Sequence, residues 1–483
     1  MTRMPLRRIA AVIVIAFWIV MTTFLILRHY GGKTAQGPAA SGVISEGIFG
    51  ERWFGVYQKE TRIGYSFWKF ERGDRGYLAS ETLKLRLLVM NTQKEMEVVT
   101  KASLGPDLGL DSFTLSFMAD VAIRVSGTVR GNSLDIVIES AGGRTERSIQ
   151  LKERPVLNLS MVPSVMKGGM TPGSRYDLHM LDPSSMSVEP VSLVVEGREQ
   201  VSSMGKMLDT VRLSGSLKGG DFSVWLTDQG EIVKQESPLG FTLIRETRDN
   251  ALRTEGPAAD MAEASSVPFH RVLPEGLSSL KVKISGIDPT GLDLDGGRQT
   301  LRGDVLEIRR EDLKGVSTRK AGKISPDYTA DSVFIQAKDS RIIARAGEIV
   351  GTEKNPLKAA ERINAWVYRN IKKTSLLSVP LSPAVLRTGR GDCNEHAVLF
   401  ASLARAAGIP ARTALGLVHD RGRFYYHAWD EIFINDWIAV DPTLGQFPAD
   451  AGHIRLIAGD IDRQTRVVTL IGKIRLEGIE PRP

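Results

Sequence analysis

Cys393 is the only cysteine in this chain of 483 residues. Downstream of it, His427 stands in the run Tyr426-His427-Ala428-Trp429, and Asp441 closes the run Trp437-Ile438-Ala439-Val440-Asp441. A thiol, an imidazole and a carboxylate in that order are the parts of a nucleophile, its base and the group that orients the base. With one cysteine no intramolecular disulfide can form. The thiol is therefore either a reactive group or an inert buried one.

The elements that must position these groups are legible around them. Gly389-Arg390-Gly391 makes a tight approach, Asp392 suits an N-cap, and Val398, Leu399, Leu403 and Ala407 form one helical face. Gly408 and Pro410 end that helix. Cys393 thus falls in the first turn, where unpaired backbone N–H groups and the helix dipole stabilise a thiolate. Its own N–H is the expected oxyanion donor. A second helix begins at Asn355-Pro356, an N-cap followed by proline, with Ala360, Ile363, Val367 and Ile371 on one face.

Beyond the cysteine helix, Thr413–Val418, Phe424–Phe433 and Trp437–Asp441 read as a meander, turned at Asp420-Arg421-Gly422-Arg423 and at Asn435-Asp436. His427, Trp429 and Glu431 share one face of the middle strand. A turn centred near residue 434 or 435 brings Asp441 within about two positions of facing His427. That is the reach of a diagonal cross-strand pair, ~7–8 Å between Cβ atoms. His396 makes Cys-x-x-His with Cys393, but no second ligand pair stands nearby, so packing is favoured over metal binding. Glu395 reads as a surface acid favourable to the helix dipole, and His453 as a surface residue.

Four stretches carry a family likeness: Gly391-x-Cys393, the run from Leu403 to Arg412 (LARAAGIPAR), His427-Ala428-Trp429, and Trp437-x-x-x-Asp441-Pro442-Thr443. Together they resemble the transglutaminase-like superfamily, and the GDCNEHA form with Gln446-Phe447-Pro448-Ala449-Asp450 is most similar to bacterial members, many of them membrane-anchored. The resemblance spans roughly residues 340–456. It implies a papain-related α+β fold and the roles of nucleophile, base and orienting acid for Cys393, His427 and Asp441. Animal transglutaminases place a tryptophan directly after the cysteine, where this chain has Asn394, and their calcium loops have no counterpart here. The implied chemistry is attack of Cys393 on a carboxamide or peptide carbonyl to give a thioester. Water as acceptor makes a cysteine peptidase or amidase; an amine makes a cross-linking transglutaminase. Hydrolysis is preferred, because water needs no second-substrate site. From another class stands a non-catalytic envelope scaffold that presents a peptide groove. No cofactor is implied.

The rest of the chain supplies context. Residues 9–27 carry no charge and only Thr22 and Thr23 as polar residues, about 28 Å as a helix and close to the thickness of a bilayer core. Arg3, Arg7 and Arg8 precede them. This predicts a transmembrane helix with residues 1–8 cytoplasmic, and a cleaved leader is the competing reading. The expected organisation continues with a flexible stalk over 28–45, a β-rich domain over 46–250 and a linker over 251–267. A β-rich connecting segment over 268–338 and the transglutaminase-like domain over 339–483 complete it. The expected fold class is α+β, with the β-rich part an antiparallel, half-barrel-like sheet. Its alternating Leu83, Leu85, Leu87 and Val89, or Leu134, Ile136 and Ile138, put one face of each strand in a core. Trp53, Trp68 and Trp225 could line a groove there, though core packing is favoured. The expected location is the inner membrane, single-pass, with the bulk periplasmic. Expected partners are a protein or peptide substrate, the membrane, and an envelope protein bound through the β-rich domain. A net charge of +7 without basic clusters interleaved with aromatics argues against nucleic acid.

Overall fold

The computed structural model describes residues 34–35, 44–89, 92–140, 143–182, 187–217, 220–237, 240–253, 266–314, 316, 324–376, 379–459, 467 and 470–482. The predicted membrane span, 9–27, lies outside these residues, as do most of the stalk and linker. Among the described residues no helix is long and apolar enough to cross a membrane. Their longest helices, Pro356–Asn370 and Cys393–Ala406, have 15 and 14 residues, against the ~20 apolar residues a span requires. The anchored topology is corrected accordingly. The inner-membrane location, the periplasmic bulk and the membrane and envelope partners are withdrawn with it.

The β-rich half is one sheet of long antiparallel hairpins. Strands from Gly50–Gln58 to Gly143–Gln150 pair in chain order, and so do those from Arg175–Asp182 to Phe241–Glu246. The two runs join where Phe241–Glu246 pairs with Gly50–Gln58. The expectation of a half-barrel is also corrected, because this sheet stays open. Gly143–Gln150 ends the order on one side and Thr34–Ala35, paired in parallel with Arg175–Asp182, ends it on the other, and the two ends do not pair with each other. Instead the segment after Gly143–Gln150 runs beside Arg175–Asp182, where Val156 bridges Met180. The helix Asn158–Gly168 follows and buries Met161, Val162 and Val165 against Phe54, Val56, Leu193 and Leu213. Alternation along a strand decides which face is buried; closure depends on register and shear summed over every strand. Trp225 is buried here, and the Trp68 indole N–H donates to Ser66 Oγ and Glu81 Oε1.

The C-terminal half is built around the helix Cys393–Ala406. Helices Ser340–Val350, Pro356–Asn370 and Ser382–Thr388 pack around it, burying Ile342, Ile363, Val367 and Val385 with Val398, Leu399, Phe400 and Leu403. Behind the helices lies a sheet ordered Val267–Pro268, Arg423–Phe433, Ala411–Asp420, His453–Ala458, with Trp437–Val440 paired to Arg423–Phe433. Its far face is covered by a four-stranded sheet of Gln299–Arg302, Val305–Arg309, Ser279–Ser285 and the C-terminal Arg475–Arg482. The connecting segment and the end of the chain therefore share one sheet.

Between these layers sits a buried ionic cluster. Glu431, 1% exposed, accepts from Arg455 Nη1 at 2.7 Å and from Arg412 Nη2 at 2.6 Å. Arg455 also donates to the Asp293 and Gly296 carbonyls, tying the sheet that holds His453–Ala458 to the covering one. Removing one member of such a set strands the others' charge away from water. Glu431→Ala is expected to destabilise the C-terminal half by roughly 3–5 kcal/mol, read as a lowered urea midpoint by tryptophan fluorescence.

Candidate active site

Cys393 opens its helix, and the start of that helix is heavily capped. Asp392 Oδ1 accepts from Asn394 N at 2.8 Å, and Glu395 Oε2 accepts from Asp392 N at 2.9 Å, which together make a capping box. Glu395 is 3% exposed, so the surface reading of this residue is corrected. The pattern Asp392-x-x-Glu395 carried that signal. Burial and the adjacent Glu395 carboxylate push the Asp392 carboxyl well above its ordinary range. Gly391 is needed for the same box, since a Cβ there would lie 2.2 Å from Glu395 Cβ. Gly389 ends the preceding helix at φ 61°, a left-handed turn suited to glycine. Buried His396 donates from Nδ1 to the Asp392 carbonyl at 2.6 Å and sets Nε2 against the Ile371 carbonyl at 3.3 Å. It is a packing residue, and burial lowers its pKa.

The hairpin register brings the other two groups in. Asp430 faces Val440, so Asp441 sits two positions from the point opposite His427. His427 Nε2 bonds Asp441 Oδ2 at 2.8 Å, and the Cys393 thiol lies near enough to the imidazole to favour its charged form. Cys393 itself is half-buried, whereas His427 and Asp441 are buried. Burial alone would depress the His427 pKa. The Asp441 charge and hydrogen bond, with a smaller contribution from Cys393, outweigh it and raise the value to about 9. Burial likewise opposes ionisation of Asp441, but His427 and His453 hold its carboxyl well below the usual carboxylate range.

His453 is the residue that sequence reasoning placed wrongly. It is fully buried, and its imidazole lies between two carboxylates: Nε2 at 3.0 Å from Asp441 Oδ2 and Nδ1 at 3.1 Å from Asp450 Oδ1. Asp450 is held in turn by Gly452 N and Gln446 Nε2. Burial disfavours the charged imidazole, yet the two carboxylates raise its pKa. Trp429 fixes both rings, stacked on His427 at 6.3 Å and edge-on to His453 at 5.3 Å. The available signal was the run Ile454-Arg455-Leu456-Ile457-Ala458, whose lack of alternation marks a strand covered on both faces. His427, Asp441 and His453 offer ligand atoms within 4.8 Å of one another, a spacing a metal ion could bridge. Both imidazoles are already hydrogen-bonded to Asp441.

Residues 343–442 match the model of the transglutaminase-like superfamily. A transglutaminase-superfamily fold element is therefore present in this part of the chain. An uncharacterized protein of Haemophilus influenzae is 41% identical over 100 residues, covering 20% of this chain. The chain spans about a quarter (25%) of the length of that curated relative. A candidate cysteine protease from Cytophaga hutchinsonii aligns with a TM-score of 0.29 at 16% identity, over 42% of this chain and 84% of its own. A β-barrel-like protein of a domain of unknown function from Brucella abortus gives a TM-score of 0.30 at 10% identity, over 41% and 94%. At such scores neither likeness carries an argument.

Two expectations follow from the charges. His427 gains its proton more readily folded than unfolded, so its contribution to stability is complete below about pH 6.5 and is lost as pH rises through about 9. Unfolding free energy is expected to fall by roughly 3 kcal/mol across that window, and by less in His427→Gln. Urea titrations at several pH values measure both. In histidine 15N pH titrations, assigned by single substitutions, His453 should titrate above an ordinary imidazole and His396 below it.

Proposed function

We propose that the C-terminal half is a thiol acyl-transfer enzyme in which Cys393 is the nucleophile, His427 its base and Asp441 the group that orients the base. The single observation carrying this reading is the buried hydrogen bond between His427 and Asp441 beside Cys393, with the thiol in the first turn of a capped helix. Asp441 binds Nε2 of the imidazole and so leaves Nδ1 for the thiol proton. The thiolate attacks a carboxamide or peptide carbonyl carbon, and His427 returns the proton to the departing amine. A Cys393 thioester results. Water then adds to the thioester carbonyl, and the acid and the free thiol are released. The amides on either side of the thiol are occupied: Asp392 N donates to Glu395 and Asn394 N to Asp392. The Cys393 N–H is left as the donor for the developing oxyanion.

Hydrolysis is favoured over transamidation because it needs no second-substrate site. The test uses a proteome-derived peptide library incubated with wild type and Cys393→Ala, with and without a primary amine. New termini or deamidated glutamines that require Cys393 are expected, whether or not amine is present. Amine adducts without hydrolysis would assign cross-linking instead. Identical libraries from wild type and Cys393→Ala would overturn the enzymatic reading and favour a scaffold. Asp441→Asn is expected to lower the rate at least about a hundredfold, because the imidazole loses the partner that sets its tautomer.

A further inference from the structure

Residues 369–391 contain Arg369, Lys372, Lys373, Arg387 and Arg390 and no Asp or Glu. This stretch alone supplies +5 in a chain of net +7. All five cations are exposed, and none is ion-paired among the described residues. The fold brings three of them together close before the nucleophile in the chain. Lys372–Lys373 forms a short parallel pair with Arg390–Gly391, Lys372 opposite Arg390 and Lys373 opposite Gly391, two residues before Cys393. The neighbouring carboxylates cannot offset this charge at the surface, because Asp392 and Glu395 are committed to the helix cap.

The rim continues away from the thiol. The Lys373 ammonium sits 3.9 Å over the ring of Tyr368, and Tyr368 packs on Gly445, where a Cβ would come within 2.9 Å of the ring. Leu444 beside it is 43% exposed, and its N–H donates to Asp441 Oδ1. A surface of cations and two apolar side chains thus connects the orienting acid's turn with the approach to the cysteine.

We infer that this rim is the acyl-donor subsite and that it selects peptide segments carrying Asp and Glu around the reacting carbonyl. The inference rests on the thiol acyl-transfer reading for the reaction, and on its own charge pattern for the selectivity. Unpaired like charges cost the fold a few tenths of a kcal/mol for each close pair, so a facing anion gains by relieving them as well as by direct attraction. A peptide fits better than a nucleic acid, since the chemistry beside the rim acts on an amide carbonyl.

The first test uses the sole thiol of the full-length protein as reporter. The ratio of Cys393 alkylation rates with anionic iodoacetate and neutral iodoacetamide is measured in wild type and in K372E/R390E. The ratio is expected to drop roughly fivefold or more in the double variant at low salt, and the difference to shrink as salt shortens the Debye length from ~30 Å at 0.01 M to ~10 Å at 0.1 M. The control K281E/R302E, equal in charge change but on the covering sheet, is expected to keep the wild-type ratio. A ratio unmoved in K372E/R390E, or moved equally in the control, overturns the subsite. A thiol that neither reagent modifies refutes the thiol reading instead, and the second test then decides the rim alone. In it, full-length Cys393→Ala is titrated with a fluorescent peptide bearing Asp and Glu around one Gln, and with its Asn/Gln counterpart. The acidic peptide is expected to bind at least about tenfold tighter, and to lose that advantage in K372E/R390E. Equal binding of the two peptides overturns the proposal. A single-stranded oligonucleotide that binds as tightly as the acidic peptide overturns it too, by showing a general anion surface.

Discussion

The buried carboxylate of Asp441 is the constraint around which the C-terminal half is arranged. It has no contact with solvent, so its charge must be met inside the protein. Oδ1 takes the Thr443 and Leu444 amides at 2.7 and 2.8 Å, and Oδ2 takes His427 and His453 at 2.8 and 3.0 Å. These donors come from three pieces of chain, so satisfying one carboxylate fixes a turn, a hairpin strand and a neighbouring strand relative to each other. That explains why an imidazole with only a small exposed edge is held at one orientation. It also explains why the histidine farther from the thiol, His453, is as buried as the aspartate it supports.

The charge logic extends outward from that point. His453 is favoured as a cation by its two carboxylates, and Asp450 beyond it is held by backbone and by Gln446. Further along the strand that holds His427, Glu431 is met by Arg412 and Arg455, and Arg298 donates to the Ala449 and Asp450 carbonyls. The covering sheet therefore grips the loop that carries Asp450 and His453. Interior charges here are paired and hydrogen-bonded, while those of the rim beside Cys393 face water unpaired. Unpaired charge is tolerable only where water reaches it, so the contrast separates structural from surface electrostatics.

Local signals were read well where the physics is local. Asp392 as N-cap, Asn355-Pro356 as a helix start and the turn at Asn435-Asp436 all depend on a few adjacent residues, and the structure has them in place. The pairing offset between His427 and Asp441 also followed from turn position, because hairpin register is set by its turn. The misplaced residues are the ones whose environment comes from far along the chain. His453 is enclosed by Asp441, His427 and Trp429 from other parts of the chain, and nothing within a few residues of it states that cover. Glu395 was legible as part of a capping box, and was missed only because an acid near a helix start was assigned to solvent.

Residue types, their order and their short-range spacing determined that a thiol would open a helix and that an imidazole and a carboxylate would face each other across a hairpin. They likewise determined that the first half would be antiparallel strands. Tertiary structure alone decided that the thiol and the imidazole meet, that His453 clamps Asp441, and that the long sheet stays open. It also paired Lys372 and Lys373 with the Arg390–Gly391 approach to the nucleophile. The reason is physical in each case. Local elements arise from backbone sterics and near-neighbour hydrogen bonds, whereas these contacts exist only once burial has brought distant segments together and each buried charge has found its partner.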